Sequence, residues 1–363
     1  MVLYLAILTI IIVVIQLIYW YVIFRGLTVV QYENEPSITQ PPVSVLICAK
    51  NEELNLKTNI PSFLNQNYPK HEVLIVDDGS EDQTATLIKS MQSKERYLKY
   101  HKVIKNKDGK KGALLEGIDN TRHSWLLLSD ADCKPSSIHW ITKIISAAIN
   151  QNVKIILGYS PYLNSGSLLH HWIHFEGWLT GVLYLSFAKL GMSYMGVGRN
   201  LLYHKSVLDK AVITKNIDLS SGDDDLTINA ISHFENTGFC IDPDTFTYSK
   251  PSGSWSEYFE QKIRHFSTAH RYKLTHKFML SFYSLSQVLL FILLSFLLIN
   301  KAYTLVLVLY FTRLLLLLPL VKQLMVKLNA TFKLWMFPLL DFGQAFYYLF
   351  FSFAVLFPKK KTW

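Results

Sequence analysis

Ser124–Asp132 reads SWLLLSDAD: three consecutive leucines, then two carboxylates one residue apart. A short apolar run that ends in acidic turn residues reads as a buried parallel strand feeding a loop. Two segments upstream share this design. VSVLICA (Val43–Ala49) lies between prolines and the polar KNEE, and HEVLIVDDGSED (His71–Asp82) ends in acidic and turn residues. A further strand is expected at about residues 100–104. Residues 53–66, TATLIKSMQ (Thr84–Gln92) and KKGALLEGIDN (Lys110–Asn120) read as the intervening helices. Strand and helix alternate, which predicts an α/β domain: an open, mostly parallel sheet with helices on both faces. Ligands of such sheets bind outside the carboxyl ends of the strands, where Asn51, Asp77, Asp78, Asp130 and Asp132 fall. No GxGxxG follows the first strand, which argues against a dinucleotide-binding enzyme.

Outward from this core the texture changes. Of the 363 residues 50% are hydrophobic and 17% charged, against roughly 25% charged in an ordinary soluble domain. A disordered chain, a collagen-like chain and a disulfide scaffold are excluded, and the apolar residues gather at the two ends. Residues 2–24 carry no charge; at about 1.5 Å per residue they are long enough for a hydrocarbon core of about 30 Å. Tyr19, Trp20 and Tyr21 stand where an aromatic belt would lie, with Arg25 behind them. A basic leader and a small-residue cleavage site are both missing, so a retained anchor is expected over residues 1–25, its N-terminus outside.

Further apolar runs occupy about 279–299, 302–320 and 334–357. Lys322, Lys327 and Lys333 precede the last run and Lys359, Lys360 and Lys361 follow it; both clusters favour the cytoplasm. Three full crossings would part them. A re-entrant hairpin at Pro338, Asp341 and Gly343, or a first run lying partly in the interface, would reconcile them. Arg313 inside a span is costly in lipid, so it is expected to face other helices or to snorkel. The net charge of +9 fits the positive-inside rule, anionic lipid or phosphate-bearing substrates. No nucleic-acid-binding pattern appears. Cys48, Cys133 and Cys240 are scattered without CxxC spacing, as suits a reducing compartment.

Five stretches carry chemistry. Asp130-Ala131-Asp132 can present two carboxylates to one hard cation, Mg²⁺ or Mn²⁺, with positions left for phosphate oxygens. Asp77-Asp78-Gly79-Ser80 can hold a ribose hydroxyl or the N3–H of uracil, or simply form a strand-to-helix turn. Lys110 and Lys111 stand before a helix, able to pair with a phosphate or to form a solvated basic loop. Asp223-Asp224-Asp225 can supply a general base, or an acidic helix N-terminus, or both. Gln261-Lys262-Ile263-Arg264-His265 lies in a basic, aromatic, amphipathic stretch suited to the membrane interface, where a guanidinium can also grip a diphosphate.

In this order the motifs resemble membrane-anchored family 2 glycosyltransferases of the GT-A fold, the group of cellulose-, chitin- and hyaluronan-synthase-like and ceramide-glucosyltransferase-like enzymes. The resemblance covers about residues 40–275. It implies a Rossmann-like catalytic domain over 40–250, an interfacial segment over 251–278 and a transmembrane region over 279–363. It implies nucleotide and donor contacts at Ala49, Asn51, Glu52, Asp77, Asp78, Lys110, Asp130, Gln261 and Arg264, and a divalent cation on Asp130 and Asp132. The base falls on Asp223 if Leu226 anchors the motif, with Asp224 the alternative. Gly198, Asn200 and His265 fall on the acceptor side. Two departures stand out: Gly222 replaces the usual Glu, and His265 replaces a Trp that stacks on the acceptor. The implied activity is inverting transfer of a hexosyl or N-acetylhexosaminyl group from a nucleotide sugar, UDP-linked by expectation, to a lipid-linked or glycan acceptor. The expected place is the cytoplasmic face of a bacterial inner membrane. A processive synthase that also exports its product, and a non-catalytic scaffold with a decayed site, are the competing readings.

Overall fold

The computed structural model describes residues 1–32, 39–104, 109–163, 166–219 and 221–354. Lys359, Lys360 and Lys361 and the end of the last apolar run lie outside the described residues. The described residues divide into two compact units: a helical one, within 1–30, 164–186 and 252–359, and a sheet-bearing one, within 31–163 and 187–251.

In chain order the elements are α1 (Val2–Ile18), β1 (Val43–Ala49), α2 (Glu53–Leu64), β2 (His71–Asp77), α3 (Thr84–Gln92), β3 (Leu98–Lys102), α4 (Gly109–Asn120), β4 (Trp125–Asp130) and β5 (Lys134–Pro135). Then come α5 (Trp140–Asn150), β6 (Ile155–Leu157), α6 (Leu168–Lys189), β7 (Leu201–His204), α7 (Lys210–Lys215), α8 (Asp225–Ile231), β8 (Thr237–Phe239) and β9 (Thr247–Tyr248). The chain closes with α9 (Trp255–Phe266), α10 (Leu274–Ile299), α11 (Tyr303–Lys327) and α12 (Phe337–Ala354).

The main sheet has seven strands in the order β3-β2-β1-β4-β7-β6-β8. β1 pairs in parallel with both β2 and β4, and β2 with β3. The parallel, βα-alternating half is what the sequence predicts. β7 is different: it runs antiparallel to β4, with Leu201 opposite Leu128. Its beginning therefore meets the carboxyl end of β4, and the loop that precedes it is delivered to the acidic edge. The strand order also reverses at β1, whose neighbours β2 and β4 end in Asp77 and Asp130. That is where a crevice opens in sheets of this type.

Val43, Val45, Ile47, Val73, Ile75 and Leu127 are fully buried in the core beneath α2 and α5. On the other face α4 packs against β1 and β2, and Gly117 makes the approach possible. A Cβ there would lie 2.7 Å from Leu46 Cδ1 and 2.9 Å from Val76 Cγ2. This close seat holds the first turn of α4, with Lys110, against the sheet.

Val2–Val29, Leu274–Ile299 and Tyr303–Lys327 are the three spans among the described residues long and apolar enough to cross a membrane. The hairpin expected around Pro338 is absent: Phe337–Ala354 is one helix. Pro338 sits in its first turn, where a missing N–H costs nothing. Gly343 packs against Trp172, whose Cζ3 would lie 3.0 Å from an added Cβ. Asp341 is claimed by Arg313, which is fully buried among helices and does not snorkel. α6, whose residues up to 186 group with the helical unit, interrupts the 40–250 span expected to form the catalytic domain.

Candidate active site

β4 ends at Asp130, and the backbone turns at once. Cys133 N–H donates to Asp130 O (3.1 Å), and Asn59 Nδ2 to Ala131 O (3.0 Å). Ala131 is buried, so the carboxylates of Asp130 and Asp132 leave the core on either side of it. Lys110 Nζ reaches Asp130 Oδ1 at 2.9 Å and stands 3.6 Å from Asp223 Oδ2. Burial raises the Asp130 carboxyl, but the Lys110 ammonium outweighs it and the net shift is downward. Asp132 shows no ion pair among the described residues: burial, then the charge of Asp130, push it up. Burial also opposes the charge on Lys110, but Asp130 and Asp223 overcome this and hold it well above an ordinary lysine.

The acidic run 223–225 is positioned by a second lysine. Lys111 Nζ donates to the carbonyls of Asn216 (2.5 Å), Leu219 (2.8 Å) and Ser221 (2.7 Å), pinning the approach to the run from inside. Gly222 then turns the chain at φ 98°, a left-handed value that a glutamate would adopt only under strain. This explains why Gly stands here. Asp224 caps α8: its Oδ1 accepts from Asp225 N–H (2.8 Å) and its Oδ2 from Gly198 N–H (2.6 Å). Burial first, then Asp223 and Asp225, push the Asp224 carboxyl up to about 7. Asp223 is left facing Lys110, and its own carbonyl accepts from Thr227 Oγ1 (2.8 Å).

At the neighbouring strand ends, Asp77 is occupied: Oδ1 accepts from Ser80 N–H (2.8 Å) and Oδ2 from Tyr100 OH (2.8 Å). Asp78 is 1% exposed, yet neither carboxylate oxygen accepts a hydrogen bond among the described residues. Burial raises its pKa, Lys50 opposing. A buried carboxylate without donors is costly, and it suits a site completed by a ligand's N–H or hydroxyl. Asn51, at φ 57°, accepts from Glu81 N–H through Oδ1 (2.8 Å), and its N–H donates to Ser80 Oγ (2.9 Å). Asn51 thus ties the β1 loop to the β2 loop, its oxygen already taken. Glu52 accepts from Asn55 Nδ2 (2.7 Å), and burial raises its carboxyl. Ala49 contributes its carbonyl to Asp78 N–H (2.9 Å).

Residues 44–211 match the family model described as Glycosyl transferase family 2. This chain carries a family 2 glycosyltransferase domain. The fold is similar to that of a mannosyltransferase from Pyrobaculum calidifontis, solved with GDP-Man and Mn²⁺. The TM-score is 0.65 at 15% identity, over 99% of this chain and 100% of that one. The likeness shows a shared GT-A-like fold. A probable glycosyltransferase, YdaM, of Bacillus subtilis is 24% identical over 235 residues, covering 62% of this chain and 54% of the relative. A dolichyl-phosphate beta-glucosyltransferase of Dictyostelium discoideum is 35% identical over 113 residues, covering 28% and 33%. The chain thus spans between a third and about half of the length of these curated relatives.

Within the sheet-bearing unit the structure brings Asp78, Lys110, Asp130, Asp132, Asp223, Asp224 and Gly198 to one sheet edge. Asn200, expected on the acceptor side, is fully buried and its amide is spent on protein. Oδ1 accepts from Trp140 Nε1 (3.1 Å), and Nδ2 donates to the carbonyls of Tyr159 (2.8 Å) and Thr245 (2.7 Å). It holds the loop rather than facing a substrate. Its neighbour Arg199 is the residue that the sequence reading passed over. Its guanidinium lies 4.6 Å from the centre of the Tyr162 ring, and Nη1 donates to Ser249 Oγ (2.5 Å). Burial opposes its charge, but Tyr162, Cys133, Asp132 and Asp130 hold it up. The sequence carried no signal for it, since the antiparallel pairing that brings Arg199 to the acidic edge shows only in the structure. Tyr203 is a second such residue, its hydroxyl buried and without a partner among the described residues.

Gln261, Arg264 and His265 lie on α9 of the helical unit, sharing a face at i, i+3 and i+4. Gln261 Oε1 accepts from Ser252 Oγ (3.3 Å), and His265 is exposed. Lys262 is buried on another face, 2.5 Å from Glu176 Oε2, while Tyr347 OH donates to Glu176 Oε1 (3.2 Å).

Among the described residues no group of three or more His, Cys, Asp or Glu could enclose a metal. Two carboxylates flanking one residue, with oxygen donors alone, still fit Mg²⁺ or Mn²⁺, which keep several positions for water and substrate phosphate. Asp130 and Asp132 would hold the ion.

Proposed function

We propose that the chain is a membrane-anchored, inverting glycosyltransferase. It moves a hexosyl or N-acetylhexosaminyl group from a nucleoside-diphosphate sugar, UDP-linked in our reading, to a lipid-linked or glycan acceptor. The observation that carries this reading is the convergence of an open buried carboxylate, Asp78, with Asp130, Asp132 and Asp223 at the carboxyl ends of β2 and β4 and the head of α8. Asp78 receives the nucleoside. Lys110 and Arg199 are the cations available to the diphosphate. A divalent ion on Asp130 and Asp132 supplies Lewis-acid neutralisation of the leaving diphosphate when bound.

Asp223 takes the acceptor proton, and the oxygen attacks the anomeric carbon as its bond to the diphosphate breaks. Both oxygens of Asp224 already serve as backbone acceptors at the head of α8, which favours Asp223 as the base. On the family resemblance, Gln261, Arg264 and His265 serve the diphosphate and the acceptor.

The same unit of helices supports a cytoplasmic orientation. Lys327 Nζ donates to Val30 O, so the ends of α11 and of the N-terminal span share one level. With the N-terminus outside, α10 crosses outward and α11 returns, leaving Lys322, Lys327 and Lys333 on the cytoplasmic side. The three candidate spans among the described residues favour transfer over export of a long product. Release of UDP or GDP from a panel of nucleotide sugars by the purified full chain, with Mn²⁺ or with EDTA, tests the reading. No nucleotide release from any donor in the presence of Mn²⁺ would overturn it.

A further inference from the structure

Lys110 sits where two roles compete. Its ammonium is 2.9 Å from Asp130 Oδ1 and 3.6 Å from Asp223 Oδ2, so one cation ties the metal-side carboxylate to the base. Asp130 accepts no other side-chain hydrogen bond among those the structure shows. The pair is open to water: the side chains of Lys110 and Asp130 are 30% and 28% exposed. A pair that reaches water can exchange one partner for another of like charge by side-chain rotation, without disturbing the fold. The helix that carries Lys110 is seated firmly on β1 and β2 through Gly117, so exchange needs only side-chain rotation.

We infer that Lys110 is an internal competitor for the divalent cation. In the free enzyme its ammonium occupies Asp130. When a nucleoside diphosphate arrives, the ammonium turns to the phosphate oxygens and surrenders Asp130 to the metal. Metal and nucleotide then bind cooperatively. The same turn uncovers Asp223, so the base loses its nearby cation only once the donor is in place. The inference rests on the glycosyltransferase reading and adds an order of events to it. The charges agree: Lys110 is the cation set between Asp130 and Asp223, and without it these carboxylates, with Asp132, would attract a metal before any nucleotide.

The test is Mn²⁺ binding to the full chain in detergent, followed by electron paramagnetic resonance of free Mn²⁺, without and with UDP or GDP. In the wild type, nucleotide should tighten Mn²⁺ binding within the roughly 5–150-fold range of two-ligand coupling. Lys110→Met should bind Mn²⁺ alone about tenfold more tightly than wild type, with most of the coupling gone. Lys110→Arg, which keeps the charge, should restore weak binding of the metal alone, and matching thermal unfolding curves should confirm that the variants are folded. If Lys110→Met binds Mn²⁺ alone no better than wild type while nucleotide tightens both equally, the inference is overturned and the glycosyltransferase reading stands. If wild type binds no Mn²⁺ even with nucleotide, both the inference and the metal-assisted mechanism fall.

Discussion

Asp224 Oδ2 accepts the Gly198 N–H at 2.6 Å, joining two loops 26 residues apart in sequence. One oxygen of the acidic run thereby closes the loop ahead of β7, and the other begins α8. The bond has little room to spare, since a Cβ on Gly198 would lie 3.3 Å from the same oxygen. Asp224 is thus a carboxylate spent on backbone N–H groups beside Asp223, at a cost that shows in its pKa, pushed up to about 7.

That cost has a definite pH dependence. The folded pKa lies above the unfolded one, so between about pH 4 and pH 7 the native state binds the extra proton. Stability therefore falls as pH rises through this window and levels off above it. Asp224→Asn removes the titration. The Tm of wild type minus that of Asp224→Asn should decline from pH 4 to pH 7 and be flat beyond pH 8. A difference independent of pH would show that Asp224 stays ionised in the fold.

Asp132→Ala should abolish nucleotide release and leave the protein as stable as wild type or slightly more so. Burial and the charge of Asp130 both work against the Asp132 carboxylate, and its one side-chain contact among the hydrogen bonds is a weak one from Cys133 Sγ (3.4 Å). Such a group is retained for function at some expense of stability. Turnover and thermal unfolding measured on one preparation check both halves. Full turnover, still dependent on Mn²⁺, would remove Asp132 from the metal site.

Asp223→Asn should preserve nucleotide binding and lower transfer by roughly 10²–10⁴-fold, the range for loss of a general base. Asp224→Asn should instead lower transfer and Tm together through the loosened Gly198 loop. The reverse pattern, with Asp224→Asn lowering transfer at unchanged Tm and Asp223→Asn active, would move the base by one position.

The parallel half of the sheet was legible because its strands are buried on both faces and so appear as unbroken apolar runs: Val43–Ala49 is β1 as read from the sequence. The strand expected at 100–104 begins earlier, at Leu98, because LKYHK is an edge strand with mixed exposure and carries little pattern. β7 is four residues long and could not announce its antiparallel pairing with β4, yet that pairing decides which loop meets Asp130. Acidic residues marked the site by spacing, but their division of labour was not legible. Whether an Asp caps a helix, as Asp224 does, or stands open, as Asp78 does, depends on backbone groups brought from elsewhere. The same holds for Asn200, whose three partners come from residues 140, 159 and 245.

The last prediction concerns the helical unit, where a single arginine is fully buried. Arg313 on α11 grips Asp341 on α12 with two parallel hydrogen bonds, Nη1 to Oδ2 (2.7 Å) and Nη2 to Oδ1 (3.0 Å). Its Nε donates to Gln16 Oε1 on α1 (2.5 Å), and Gln287 Nε2 on α10 donates to Asp341 Oδ1 (2.7 Å). Gln16 Nε2 closes the ring on Gln287 Oε1 (3.1 Å). Four helices therefore meet at one satisfied polar network inside an apolar bundle. Such a pair adds little over a well-packed apolar pair, but removing one partner leaves a buried charge alone, at about 3–5 kcal/mol. Arg313→Met and Asp341→Leu should each lower the detergent Tm sharply, and the double variant Arg313→Met/Asp341→Leu should recover most of the loss. Gln16 Nε2 keeps Gln287 Oε1 in the double variant, but Gln16 Oε1 loses its donor and Gln287 Nε2 one acceptor, so the recovery stops short of complete. Losses that simply add in the double variant would mean that the two side chains stabilise the bundle by packing and not by pairing.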